Sequence, residues 1–410
     1  MSAPGRGRVG AGTMTAAVTR HRIEREAYGI AYAEHAAFKD TYGGVEGIVF
    51  LESYRLVPVG VASDTVLIFM HPVGGGAYLP LVTELAKQGS HVIYANSRYR
   101  GIDAALIMEK VVLDLAATVR DARERFGYER IVLAGWSGGG ALSLFYQQQA
   151  RRPTVACTPA GDPPDLTSAE LIPADAMLLL AAHPSRHQVL RDCIDPAIID
   201  EGDPERRDRT LDLYDPGNPP PYSPEFLKTY REAQTARVRR ITASVKDRLA
   251  ALRAADRPHD EHAFVVHGTL ADPRALDPTV DPNDREPGTS FLGDPRIVNN
   301  GPIGLARFCT LRSWLSQWSI DDANADGVRA ARALDVPVLQ IHNSADNICT
   351  PGYAQSLHDA VGSEDKYLYE VRGANHYYIG PDQRPHLREA AATCTTWLAA
   401  RGLAPAQVQV

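Results

Sequence analysis

The chain reads as an α/β protein: a mostly parallel, doubly wound sheet interrupted by a mainly helical insertion. Three observations predict it. Apolar strands and amphipathic helices alternate from about residue 45 to 182, and again from about 336 to 401. A glycine-rich corner, Gly135-Trp136-Ser137-Gly138-Gly139, joins the run Ile131-Val132-Leu133 to a helical segment beginning at Ala141. From about 184 to 330 the alternation stops and Pro, Asp and Arg become frequent. Repeated strand–helix alternation implies parallel strands covered on both faces, because each crossover helix packs back on the sheet.

The elements follow in order. Residues 48–54 read as a strand. Residues 65–70, TVLIFM, are apolar throughout and run into the loop His71-Pro72-Val73-Gly74-Gly75-Gly76. Residues 79–88 read as a helix and 91–95 as the next strand. Within 105–126, Met108, Val111, Val112, Leu115 and Val119 recur at spacings of three and four, one buried helical stripe closed by Gly127. The strand ending at Leu133, the corner, its helix and the apolar strand 176–182 complete this part. In the insertion, helical patterns cover 224–252 and the region 308–319. Its Phe264, Val265, Val266, Phe291, Phe308, Trp314, Leu315 and Trp318 need a core, which argues against a long disordered loop. Alternation resumes with a strand at 336–341, a helix at 352–361, a strand at 366–371 and a closing helix at 385–401. The expected organisation is a disordered lead at 1–20, a core at 21–183, a cap or lid at 184–330, and the rest of the core at 331–410.

Composition narrows the function. Of 410 residues, 44% are apolar and 23% charged, with a net charge of -7 and no run rich in lysine and arginine. Nucleic acid is therefore not an expected partner. No apolar stretch reaches the length of a membrane span, and residues 1–20 lack a continuous apolar segment of the signal-peptide kind. The five cysteines, Cys157, Cys193, Cys309, Cys349 and Cys394, are odd in number and widely spaced. That argues against a disulfide framework or a zinc site and suits a reducing cytoplasm.

The chemistry centres on Ser137. A serine between a buried strand and a helix is forced into a strained backbone with its hydroxyl outward. Glycines two positions to either side relieve the crowding. A serine needs a base to take its proton and an acid to orient that base. Asp346 follows the strand 336–341 and His376 follows the strand 366–371, so both lie at the sheet edge that carries Ser137.

At these motifs the chain resembles the α/β-hydrolase fold family, over roughly 45–182 and 330–401, with Ser, Asp and His in the family's chain order. The resemblance implies an α/β-hydrolase sheet with a mainly helical cap inserted between its strands 6 and 7. It implies Ser137 as nucleophile, Asp346 as acid and His376 as base. The His71 loop matches the family's oxyanion loop, but Pro72 stands where a glycine is usual and has no N–H to give. Val73, or failing it Gly74, is then the expected donor beside the N–H of Gly138. Asp162 and Asp165 are the alternative acids. His71 is expected to brace its loop, and His183 and His267 to be ordinary polar residues. No metal and no cofactor are expected.

Trp136, Tyr78, Tyr377, Tyr378, Trp314 and Trp318 are candidates to line a substrate pocket, with core packing the competing reading. Arg98 is a candidate for a substrate carboxylate, with loop bracing through carboxylate or backbone contacts the preferred reading. Cys349, close to Asp346, would make activity thiol-sensitive. The expected function is a cytoplasmic serine hydrolase cleaving a carboxylic ester or lactone of a small to medium organic substrate through an acyl-enzyme. Amide or C–C bond hydrolysis and acyl transfer use the same residues. A non-catalytic small-molecule binder on this fold is the alternative of another class. A homodimer is compatible with either.

Overall fold

The computed structural model describes residues 20–34, 39, 41, 45–74, 76 and 79–404. Residues 1–19 of the expected lead, and Tyr78, lie outside the described residues.

The chain opens with a long antiparallel pair, β1 (Ile23–Ala33) and β2 (Ile48–Pro58). Then come β3 (Thr65–Phe69), α1 (Pro80–Lys87), β4 (Val92–Ala95), α2 (Met108–Glu124), β5 (Arg130–Trp136), α3 (Gly138–Arg151) and β6 (Ala176–Leu180). The segment that follows holds α4 (Arg186–Cys193), α5 (Pro224–Ala254), β7 (Ala263–Val265), α6 (Pro273–Leu276), α7 (Pro295–Val298), β8 (Phe308–Thr310), α8 (Leu311–Gln317) and α9 (Gly327–Ala331). The chain then returns to β9 (Val338–Asn343), α10 (Pro351–Ala360), β10 (Lys366–Val371) and α11 (Gln383–Ala399).

Eight strands form one sheet in the order β1-β2-β4-β3-β5-β6-β9-β10. β2 is antiparallel to both its neighbours, and the other pairings are parallel. This is the α/β-hydrolase fold. The central strands β3 and β6 are buried along their whole length, as their unbroken apolar sequences require. β1 escapes the sequence reading because it is an edge strand with charged and exposed positions, which blunt an edge but hide its periodicity.

Between β6 and β9 the chain builds a separate apolar cluster. One face of α5 supplies Val238, Ile241, Val245, Leu249 and Leu252, packed with Trp314, Leu315 and Trp318 of the α8 region. Ser223 starts α5 by accepting the N–H of Phe226 at 3.1 Å, with Pro224 in the first turn. The expected helix over 308–319 is shorter than its pattern. Residues 308–310 pair with β7, and Thr310 then caps α8 in a reciprocal box with Ser313. The excursion closes on itself: a Cβ on Gly327 would stand 2.0 Å from the carbonyl oxygen of Pro184.

Candidate active site

Ser137 occupies the corner between β5 and α3 at φ 53° and ψ -123°. Its N–H donates to the carbonyl of Leu180 on the neighbouring strand at 3.0 Å. The glycines beside it are sterically required. A Cβ on Gly135 would lie 2.5 Å from the Gly139 carbonyl oxygen, and one on Gly139 would lie 2.5 Å from that of Met70. α3 can thus press against β5 and the end of β3 only with bare backbone at both positions.

Loops after β9 and β10 bring two side chains to this corner. His376 Nε2 lies 3.1 Å from Ser137 Oγ, and its Nδ1 lies 2.6 Å from Asp346 Oδ2. Asp346 is fully buried, and its Oδ1 accepts the N–H groups of Ile348 and Cys349, both at 2.8 Å. The imidazole is wedged between Trp136 and Tyr377, with ring centroids at 4.6 and 4.9 Å. The two loops are tied together. Ala345 N–H donates to the Ala374 carbonyl at 2.9 Å, and the Asn343 amide to that of Asn375 at 2.9 Å. A hydroxyl, an imidazole and a carboxylate in this line can draw a proton from the hydroxyl and stabilise the imidazolium that forms.

Gly138 opens α3, so its N–H has no intrahelical acceptor and sits at the positive end of the helix dipole. The loop after β3 behaves differently from its sequence expectation. The N–H of Val73 points at His71 Nδ1 at 3.1 Å, and the Val73 carbonyl contacts the same nitrogen, which serves one of the two according to its tautomer. The Val73 amide is therefore turned into its own loop. His71 braces that loop, as expected. Burial holds its pKa down to about 4, helped by the nearby Arg186 and His376 and opposed by the Val73 contact.

A cavity of about 460 Å³ opens beside Ser137 and His376. The core supplies Trp136 and Tyr377 to its wall, and the segment between β6 and β9 supplies apolar groups such as Leu270, Phe291, Ile303 and Phe308. Polar groups on the wall include His71, Asp103, His183 and Arg186, with Asp272 and Arg274 of a buried ion pair. Arg186 pairs with Asp103 and donates to Gln317.

Six other candidate residues have structural roles. Trp314 and Trp318 stack on each other at 5.0 Å, fully buried in the separate cluster, and are core rather than cavity wall. Tyr378 is buried with its hydroxyl on Asn343 at 2.7 Å. Arg98 is buried against Asp114, Glu34 and Tyr32, so it braces its loop and has no access to a substrate. Asp162 pairs with Arg312, and Asp165 caps residues 166–168.

Cys349 is buried, and burial pushes its thiol pKa well up. Its sulfur lies with Asp346 and His376 in a group whose ligand atoms are all within 4.8 Å of one another. Both oxygens of Asp346 and both nitrogens of His376 are already engaged in hydrogen bonds, the pattern of a proton relay. The residue that sequence reasoning undervalued is His183. It lines the cavity, and its signal was available: a histidine directly after an apolar strand at the sheet edge bearing Ser137.

No family model matches this chain, and no curated protein sequence matches it. Solved structures do. The chain is similar to Est1E from Butyrivibrio proteoclasticus at 14% identity, covering 88% of this chain and 98% of that one, with a TM-score of 0.44. It is similar to DcsB, solved in complex with a substrate analogue, at 12% identity over 92% of this chain and 99% of that one, TM-score 0.47. It is also similar to brefeldin A esterase, a bacterial homologue of human hormone-sensitive lipase, at 16% identity over 96% and 79%, TM-score 0.43. Among the described residues no helix is long and apolar enough to cross a membrane.

Proposed function

We propose that this protein is a serine hydrolase that cleaves a carboxylic ester or lactone of a small to medium organic substrate. The observation that carries this reading is the line from Ser137 Oγ through His376 to Asp346, with contacts of 3.1 and 2.6 Å, at the wall of a cavity. In this reading His376 takes the Ser137 proton as Oγ attacks the acyl carbon. The carbonyl electron pair moves onto oxygen, and the Gly138 N–H donates to the oxyanion. His376 then returns the proton to the departing alkoxide, leaving an acyl-enzyme. Water, deprotonated by the same histidine, releases the acid. Asp346 holds the Nδ1–H tautomer throughout. Gly74 remains the candidate backbone donor of the loop, since the Val73 N–H points at His71.

The segment between β6 and β9 acts as a cap in this reading, because it supplies much of the apolar wall over Ser137. An apolar wall suits the hydrocarbon part of an ester, and a volume of about 460 Å³ is within the range of small-molecule sites. The test is intact-protein mass after a fluorophosphonate, on the parent and on Ser137→Ala, followed by p-nitrophenyl esters, anilides and lactones. Labelling of the parent alone, with turnover highest on esters or lactones, is expected. An unlabelled, folded parent overturns the reading in favour of a binding protein.

A further inference from the structure

His183 stands three residues beyond β6, the strand beside β5. The chain turns there through Ala181 at φ 44°, a conformation that non-glycine residues rarely adopt and that clusters at functional sites. The turn packs Ala182 on α3, where a Cβ on Gly140 would lie 2.4 Å from that of Ala182. It also delivers His183 to Gly138. His183 Nε2 lies 3.3 Å, and His71 Nε2 2.8 Å, from the point that a Gly138 Cβ would occupy, next to the nucleophile and on the cavity wall.

Three buried histidines, His183, His187 and His342, keep a ring nitrogen without a hydrogen-bond partner among the described residues, and of the three only His183 lines the cavity beside Ser137. His183 is 7% exposed, yet its Nδ1 has no hydrogen-bond partner among the described residues. The buried His91 has both nitrogens engaged, Nδ1 with the Tyr128 hydroxyl at 2.8 Å and Nε2 with the Val61 carbonyl at 2.9 Å. Buried polar groups are normally satisfied, and an exception calls for a reason. Burial holds the His183 pKa well below 6.5, and the nearby Arg186 cation acts in the same direction, so the imidazole is uncharged at neutral pH. A neutral imidazole carries one N–H. Nδ1 has no partner among the described residues, whereas Nε2 lies beside Gly138, next to the nucleophile.

The loop after β3 adds a second argument. Pro72 has no N–H, and that of Val73 is turned to His71. The first two residues after His71 therefore offer the site no donor.

We propose that His183 is a catalytic residue whose Nε2–H donates to the oxyanion beside the N–H of Gly138. This rests on the acyl-enzyme reading above. As the Ser137 Oγ–C bond forms, the carbonyl π pair becomes the oxyanion lone pair and the Oγ proton moves to His376. His183 neither gains nor loses a proton. A neutral donor in a water-poor wall stabilises the charge without needing to reorganise.

Two substitutions test it on a p-nitrophenyl ester turned over by the parent. His183→Leu removes the donor and is expected to lower kcat about 100-fold or more, with KM changed by less than about threefold. His183→Gln, which keeps an N–H, is expected to recover kcat to within about tenfold of the parent. Phosphonylation of Ser137 by a fluorophosphonate slows in parallel, because its P=O oxygen uses the same donors. The melting temperature of His183→Leu stays level or rises, since a buried polar atom without a partner is removed. The proposal is overturned if His183→Leu keeps kcat within about threefold, or if its lost activity tracks a lower melting temperature and is not recovered by Gln. Failure of the acyl-enzyme reading shows separately, as absence of Ser137 labelling in the folded parent.

Discussion

Gly139 and Met70 meet backbone to backbone: a Cβ on Gly139 would stand 2.5 Å from the Met70 carbonyl oxygen. Neither partner is a side-chain tip that can swing aside, so α3 must retreat from β3 if the contact is filled. Gly139→Ala is expected to lower stability by about 1–3 kcal/mol or more, as overpacking does, and to displace the Ser137 hydroxyl from His376. Urea midpoints and the rate of fluorophosphonate labelling measure the two effects. A variant with the parental midpoint and labelling rate refutes the steric argument.

Asp346→Asn separates orientation from folding. An asparagine oxygen can still accept the two amides at 2.8 Å, so the loop should hold. Its NH₂ group would then face His376 Nδ1 and favour the wrong tautomer. A fall in kcat of about 10⁴-fold with an unchanged melting temperature is expected. A loss below about tenfold would remove Asp346 from the relay.

Stability should depend on pH through the buried histidines. The His71 pKa is held down from 6.5 to about 4, and that of His183 lies well below 6.5. The unfolded chain takes up these protons as pH falls through 6.5, whereas the folded chain leaves His71 neutral until about 4. Their contribution is complete above pH 6.5 and is lost as pH falls towards 4. Each histidine contributes up to about 1.4 kcal/mol per pH unit in that window. His91 and His342, also pushed down by burial, act in the same direction. Urea midpoints at pH 7 and pH 5 should show the fall, and His71→Asn should make it shallower. An equal fall in both proteins contradicts the assignment to His71.

Arg98→Met distinguishes a brace from a binding residue. Its guanidinium meets Asp114 at 3.0 Å and Glu34 at 2.6 Å, and Asp114 is fully buried. Removing the cation leaves a buried carboxylate without its countercharge, which costs about 3–5 kcal/mol. The expected result is a large drop in denaturant midpoint with KM unchanged below the unfolding range. A selective rise in KM for an anionic ester, at parental stability, would restore the binding role.

The thiols should be silent in catalysis. Cys157 is exposed and the other four cysteines are buried. Burial pushes Cys349 well above its ordinary pKa, so it stays a poorly nucleophilic thiol. Ellman's reagent on the native protein should titrate one fast thiol, absent in Cys157→Ser, with turnover intact. Rapid loss of turnover when Cys157→Ser meets the reagent would show that a buried thiol, Cys349 or the cavity-lining Cys193, is accessible after all.

Much of the fold was legible. Fully apolar runs announced β3 and β6, and the stripe from Met108 to Val119 announced α2. What misled was chemistry that looks alike in two settings. Trp314 and Trp318 have the composition of a pocket wall and stack in a core. Residues 308–310 continue a helical pattern yet pair with β7, since three residues of strand leave no period to read. β1 was hidden by the charges that protect its edge.

The sequence by itself determined the elbow, the order of Ser137, Asp346 and His376, and the sheet edge on which they fall. These follow from local rules: where glycine is sterically required, where an apolar run ends, and which loop follows a parallel strand. The tertiary structure alone decided which side chains meet. Ser137 and His376 are 239 residues apart, and their 3.1 Å contact depends on how two loops are tied together. The inward turn of the Val73 amide, the burial of Arg98 and the approach of His183 to Gly138 are of the same kind. Each depends on distances between chain segments, which packing sets and residue type does not.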